Sequence, residues 1–280
     1  MIGLSASAYY YKPKKDRKEK AVRDANLCEE IERVQAEYSC MGYRPVHENL
    51  LREGIQVNGK RLRRVMKQYG LVYRIKRQFI RTTDSTHGLP VYPNLISGLK
   101  VTGINQVWVA DITYIRIQTG FVFLAVILDV FSRRVVGWAL SKSLDHSLTV
   151  EALKIAMERR NPPAAGLIHH SDQGVQYACA DYVELLWSRQ IRISMSRKGD
   201  PYQNAFAESF FKTLKREEVY LWEYESFVDV VERIPFFIEE VYNKKRLHSG
   251  IHYLPPEEFE TMLLNMKGKQ TPGQFHLRIY

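Results

Sequence analysis

The sequence predicts an α/β fold: a mixed sheet in the order β-β-β-α-β-α-β-α, preceded by a small all-α arm. Three observations carry that expectation. Three apolar, strand-length segments, 107–116, 121–129 and 134–140, follow one another closely after Gln106. Beyond them, helical and strand-like patterns alternate. Before them, the pattern is helical throughout and strongly basic.

The arm comes first in the chain. Residues 1–82 hold 19 Lys/Arg against 9 Asp/Glu, whereas residues 83–280 hold 22 of each, so the whole net charge of +10 belongs to the first third. That asymmetry fits a polyanionic partner, nucleic acid being the commonest. Residues 12–20 read as a solvated linker, followed by a helix from Asp24 to Glu37. Arg44 to Arg52 reads as a second helix that Gly54 ends. Asn58 is an N-cap candidate for a third, from Gly59 to Tyr69. In that helix Leu62, Val65, Met66 and Tyr69 recur at i, i+3, i+4 and i+7 and form one apolar stripe. Its other faces carry Lys60, Arg61, Arg63, Arg64 and Lys67. Two short helices around a Gly-containing turn, the second one basic, make a helix-turn-helix pattern over about 44–70. We therefore expect Lys60, Arg61, Arg64 and Lys67 to face DNA. Residues 73–81 alternate bases with apolar residues and suit backbone phosphates. Residues 83–105, rich in Gly and Pro, form a linker.

The core, 106–262, is read from its turns and caps. Gln118-Thr-Gly120 and Phe131-Ser-Arg133 are short enough to join antiparallel neighbours. Ser147 is expected to cap a helix running to Arg159. Strand 167–171, helix 179–189, strand 191–195 and a helix around Glu208 follow. Pro235 should kink or split a helical stretch over 227–243. Pro255-Pro256 opens a terminal helix, and 263–280 is a tail. No apolar run approaches the roughly 18 residues of a membrane span, and no signal peptide opens the chain, so a cytoplasmic location is expected. Cys28, Cys40 and Cys179 are odd in number and widely spaced, which argues against a disulfide framework or a zinc knuckle.

Three acids suggest the chemistry. Asp111 interrupts the apolar run 107–115, Asp172 ends the run 167–172, and Glu208 lies on a helix after a further 35 residues. Two strand carboxylates and one helix carboxylate suit a pair of Mg²⁺ ions about 4 Å apart that drive phosphodiester chemistry. Hard cations prefer carboxylate oxygens, so three acids suffice without His or Cys. Carboxylates about 5 Å apart with no cation repel by roughly 3 kcal/mol at an effective dielectric near 20. On the Glu208 helix, Asn204, Lys212 and Lys215 fall on the same face at i−4, i+4 and i+7. That face is expected to run from a metal ligand to DNA phosphates, although Lys212 equally suits an i,i+4 pair with Glu208. Neither His169 nor His170 is expected to be a ligand, one of them facing the core.

Gln106-Val-Trp-Val-Ala-Asp-Ile-Thr-Tyr-Ile115, Leu128-Asp-Val-Phe-Ser-Arg-Arg-Val-Val-Gly-Trp138, His170-Ser-Asp-Gln-Gly-Val-Gln-Tyr177 and Ala205-Phe-Ala-Glu-Ser-Phe-Phe-Lys-Thr-Leu-Lys-Arg-Glu217 resemble the integrase-type core of bacterial insertion-sequence transposases. More narrowly they resemble the second-frame product (OrfB) of elements with two overlapping frames. Tyr242-Asn-Lys-Lys-Arg-Leu-His-Ser-Gly250 and Leu254-Pro-Pro-Glu-Glu-Phe259 are similar to the C-terminal signature of that family, and 42–71 to its helix-turn-helix arm. The resemblance implies a ribonuclease-H-like fold and Mg²⁺ or Mn²⁺, two ions, held by Asp111, Asp172 and Glu208. Asp111 would bridge the pair, while Asp172 and Glu208 each hold one ion. It implies 3′-end nicking at terminal inverted repeats and strand transfer to target DNA. It further implies a homo-oligomer on DNA, an upstream-frame protein or fusion as partner, and a bacterial, nucleoid-associated location. Three positions depart from the pattern: Asp200 and Gln203 stand where Asn and Asp are expected, and Pro45 stands where the arm usually has a basic or polar residue. The alternative reading is a non-catalytic DNA-binding regulator or an inactive remnant of such an element.

Overall fold

The computed structural model describes residues 17–38, 41–72, 88–163, 166–197, 204–267 and 277–278. Packing divides the chain into two units, Met1–Arg74 and Ile75–Tyr280. The expectations for Cys40, for the basic segment 73–81 and for the loop at 200 and 203 lie outside the described residues, as does most of the tail.

Among its described residues the first unit has three helices: α1 (Arg17–Glu37), α2 (Tyr43–Arg52) and α3 (Gly59–Gln68). The helix α1 starts inside the segment read as a linker, because nothing in 17–20 breaks a helix. Gly54, at φ +83°, turns the chain after α2, and the Ile55 N–H returns to the Leu50 carbonyl at 2.8 Å. Asn58 caps α3 by accepting the Lys60 N–H at 2.9 Å. Pro45 stands in the first turn of α2, where its missing N–H costs nothing. Leu62, Val65 and Met66 bury against Ile31, Val46 and Leu50, each worth about 1.5–3 kcal/mol in transfer free energy. Tyr69 departs from the expected stripe: at 42% exposure it lies just past the last turn of α3.

The second unit holds a five-stranded sheet in the order β4-β3-β2-β5-β6. Its strands are β2 (Val107–Ile117), β3 (Gly120–Asp129), β4 (Val135–Ser141), β5 (Ile168–Ser171) and β6 (Arg192–Met195). A two-residue strand β1 (Lys100–Val101) pairs separately with β7 (Leu277–Arg278). β2, β3 and β4 are antiparallel neighbours, as their short turns require. β5 runs parallel to β2, and β6 parallel to β5. The helix α4 (His146–Arg160) provides the crossover from β4 to β5, and a break at Cys179 separates α5 (Val175–Ala178) from α6 (Ala180–Ser188). The cap of α4 is Asp145, whose carboxylate accepts the Ser147 N–H at 2.9 Å. Ser147, the expected cap, therefore lies inside the first turn.

Both faces of the sheet are covered, so β2 and β3 are apolar on both sides. On one face, Val107, Val109, Val126 and Leu128 meet α7 (Ala205–Glu217) through Ala207, Phe210 and Leu214. On the other, Trp108, Ala110, Ile127 and Val136 meet α4 and α6. Pro235 does split its helix: α8 (Phe227–Phe236) passes into a π-helical segment, Phe237–Asn243. This places Asn243 beside the edge strand β4, where its amide both donates to and accepts from the Val135 backbone at 3.0 Å. The terminal helix α9 (Pro256–Lys267) opens at Pro256.

Candidate active site

Register brings the first two acids together. In the parallel ladder Val107 pairs with Ile168 and Val109 with His170. Asp111 and Asp172 each lie two residues further on, at the same level on adjacent strands. The third acid arrives because α7 packs its apolar side over β2 and β3. Glu208 follows the buried Ala207 and therefore stands at the edge of that packed side, its side chain 37% exposed.

The electrostatics report the convergence. Burial pushes the Asp111 carboxyl up to about 8, with the charge of Asp172 and then that of Glu208 adding to it. The Ile112 N–H, bonded to Asp111 Oδ1 at 2.8 Å, and the Lys215 ammonium oppose the rise. Asp172 Oδ1 accepts the Gly174 N–H at 2.9 Å. A Cβ at Gly174 would stand 2.9 Å from that same oxygen, so only glycine lets the carboxylate fold back this tightly. Among the described residues no three acids, histidines or cysteines close into a ready metal cage. The acids thus form a cluster of hard oxygen donors whose charges act on one another. That donor set and that charge fit Mg²⁺ or Mn²⁺.

Lys215 and Lys212 take different places. Lys215 Nζ sits 4.7 Å from the centre of the Tyr114 ring. Burial lowers its pKa, and Asp111 partly restores it. Lys212 is ion-paired with Glu208 at 3.4 Å, as an i,i+4 pair would be. Asn204 corrects the expected DNA-facing line. It is 7% exposed and donates from Nδ2 to the Ala110 carbonyl at 3.2 Å. Helical spacing alone misplaced it, because position 204 is the N-cap of α7 and is drawn against β2 rather than along the helix face. It positions the helix beside the residue that precedes Asp111.

His169 and His170 are both buried. His169 shares a 2.8 Å hydrogen bond with the Tyr182 hydroxyl, and His170 one of 2.8 Å with Ser194. Burial takes them down to about 3 and about 4, so both are neutral core residues. Tyr177, which no local pattern singled out, is buried near the acids. Burial, Asp111, Tyr182 and Asp172 hold its phenol well above the usual value, so it remains a neutral donor.

In the arm, Arg61 and Arg64 are both drawn into an internal ion pair. Arg61 binds Asp24 Oδ1 at 3.0 Å and Arg64 binds Asp24 Oδ2 at 2.7 Å, bridging α3 to α1. Burial pushes the Asp24 carboxyl up, but these two partners more than reverse it, and its pKa lies below the usual value. Sequence could not reveal this pairing across 37 and 40 positions. Lys60 and Lys67 are exposed and have no ion pair among the described residues.

Comparison with known proteins gives a consistent picture. Residues 102–201 match one family described as Integrase core domain and 189–256 a second of the same description; residues 21–79 match an HTH-like domain family. The insertion element IS600 uncharacterized 31 kDa protein of Shigella sonnei is 38% identical over 264 residues, 92% of this chain and 96% of that protein. The transposase for insertion sequence element IS904 of Lactococcus lactis is 40% identical over 208 residues, 74% and 82% of the two chains. The HTLV-2 integrase catalytic core domain in complex with magnesium aligns with 60% of this chain and 99% of its own, at 15% identity and a TM-score of 0.43.

Proposed function

We propose that this chain, which belongs to the IS3 family of insertion-sequence transposases, as its 38% identity over 214 residues to transposase InsF for insertion sequence IS3A of Escherichia coli shows, nicks the ends of its element and joins the freed 3′ ends to target DNA. The observation that carries this reading is the meeting of Asp111, Asp172 and Glu208 from two parallel strands and one helix. A half-buried cluster of like charge is costly as a structural device and useful as a cation site.

Asp111, Asp172 and Glu208 would hold two Mg²⁺ or Mn²⁺ ions. Bound there, the ions supply positive charge at the phosphoryl group and ease deprotonation of the attacking oxygen. The chain's own groups do the rest. Lys215, stiffened over Tyr114 and half desolvated, offers its ammonium to a phosphate beside the scissile one. Asn204 keeps α7, and with it Glu208, pinned to β2. In the first step water attacks the phosphorus, the P–O3′ bond breaks and the element's 3′ oxygen leaves as a hydroxyl. In the second, that hydroxyl attacks a target phosphodiester and displaces the target's own 3′ oxygen.

The partners in this reading are the terminal inverted repeats and target DNA, gripped by Lys60 and Lys67 of the arm. A second copy of the chain on the paired ends and an upstream-frame polypeptide complete the assembly. The working place is the bacterial nucleoid, where the target lies.

The test is strand joining. The purified chain, with and without its upstream-frame partner, is incubated with labelled element ends and Mg²⁺. Joined products that vanish with Asp172→Asn, while DNA binding persists, support the assignment. Binding without cleavage in both conditions leaves a non-catalytic DNA-binding regulator. Melting supplies a second readout. Asp111→Asn relieves the repulsion, so the metal-free protein should melt higher than wild type and lose any Mg²⁺-dependent rise.

A further inference from the structure

Arg133 is placed at a cost that the fold does not recover. It sits in the turn between β3 and β4, which Asp129 organises by accepting the Phe131 and Ser132 N–H groups at 2.9 Å each. That turn holds Arg133 at φ +66°, a left-handed conformation that glycine or asparagine adopts more readily. Its guanidinium lies 4.0 Å from the centre of the Phe206 ring. Burial drops its pKa to about 10, with Tyr242 and Asp129 opposing the fall. Yet no carboxylate or hydrogen-bond acceptor meets it among the described residues.

Its neighbours are handled differently. Arg134 binds Glu260 at 2.9 Å, and Arg246 binds Glu217 through two nitrogens at 2.7 and 3.0 Å. The nearby acids are already engaged, which leaves Arg133 as a strained, partly desolvated cation with no acid partner among the described residues. Such an outlier points from structure to function. Gly250 keeps the space around the fork: a Cβ there would stand 3.3 Å from one guanidinium nitrogen.

The location tells what the cation is for. Phe206 is in the first turn of α7, and two residues along a helix is a rotation of about 200°, so Phe206 and Glu208 lie on opposite flanks. The exposed ridge between them carries Ala205, Ser209 and Lys212. A helix about 10 Å wide nearly fills a major groove about 12 Å wide, so its two flanks would face the two strands. The α7 N-terminus, which has no side-chain cap, adds positive potential on the Arg133 side.

We propose that Arg133 grips a backbone phosphate of the DNA strand lying along the flank of α7 opposite the three acids. The fork, held over an aromatic ring with no carboxylate on it, can present its donors to phosphate oxygens. The inference rests on the transposase reading, since it needs DNA across α7.

The experiment compares the full chain with Arg133→Met and Gly250→Ala, using a fluorescein-labelled duplex of arbitrary sequence. Affinity is read by anisotropy over a range of salt, and each protein's thermal unfolding is followed. One lost phosphate contact flattens the slope of log K against log salt by about 0.9. Arg133→Met is expected to show that change with an unchanged or raised melting temperature, because removing a half-buried charge with no acid partner relieves desolvation. Gly250→Ala, which displaces the fork without removing its charge, should weaken binding less. An unchanged slope with a lowered melting temperature makes Arg133 a structural residue and overturns the proposal, while wild-type joining of element ends would still stand. Failure to join ends together with a flattened slope in Arg133→Met removes the transposase reading and keeps the contact. A wild-type chain that does not bind the duplex removes both.

Discussion

Gly137→Ala is a severe test of how the catalytic unit is packed. Gly137 lies in the middle of β4, facing α4. A Cβ built there would stand 2.3 Å from the Ala152 carbonyl oxygen, 2.7 Å from Ala156 Cβ and 2.8 Å from the Ala156 nitrogen. Two of the three atoms are helix backbone, which cannot rotate away as a side-chain end would. Reaching ordinary contact at about 3.4 Å means moving α4 or β4 by roughly 1 Å, in an interior packed as densely as an organic crystal. Overpacking of this kind costs about 1–3 kcal/mol, and the backbone partners put this case at the upper end. The strand gains only about 0.5–1 kcal/mol from replacing glycine. The net loss, roughly 2 kcal/mol, lowers the melting temperature of a unit of this size by about 4–8 °C. Differential scanning calorimetry of the full chain is the assay, with duplex binding as the control. The loss should appear in the catalytic unit's transition, while the basic arm keeps its affinity. Gly137→Ala melting within 1 °C of wild type would refute the close strand–helix contact.

Three further outcomes follow from charge. His169 has a folded pKa near 3 against about 6.5 when unfolded, so between those values the unfolded chain binds the extra proton. Its contribution is complete above pH 6.5 and is lost on acidification at up to about 1.4 kcal/mol per pH unit; in denaturant titrations His169→Gln should have a shallower acid limb than wild type. In the arm, Lys60→Ala with Lys67→Ala should flatten the salt dependence of duplex binding by about 1.8 and leave the melting temperature unchanged. Arg61→Ala should instead cost about 1 kcal/mol of arm stability, because it strips one of the two partners from Asp24; an equal slope change in both variants would return Arg61 to the DNA face.

The sequence by itself determined what depends on local periodicity and local chemistry. The strand runs and their short turns, the Asn58 cap, the apolar stripe at Leu62, Val65 and Met66, and the break at Pro235 all follow from near neighbours. The three acids were legible because a charged residue inside an apolar strand or beside a phenylalanine-rich helix face contradicts its surroundings. Tertiary structure alone decided which polar groups are spent on one another. Arg61 and Arg64 have the look of a DNA-reading face until α1 brings Asp24 beneath them. Asn204 belongs to the Glu208 face on a helical wheel, but sheet packing turns it onto the Ala110 carbonyl. Arg133 is one basic residue in a turn until Phe206 and Gly250 enclose it. In each case the deciding partner lies tens of residues away, and the cost of burying a charge is set by what the fold places beside it.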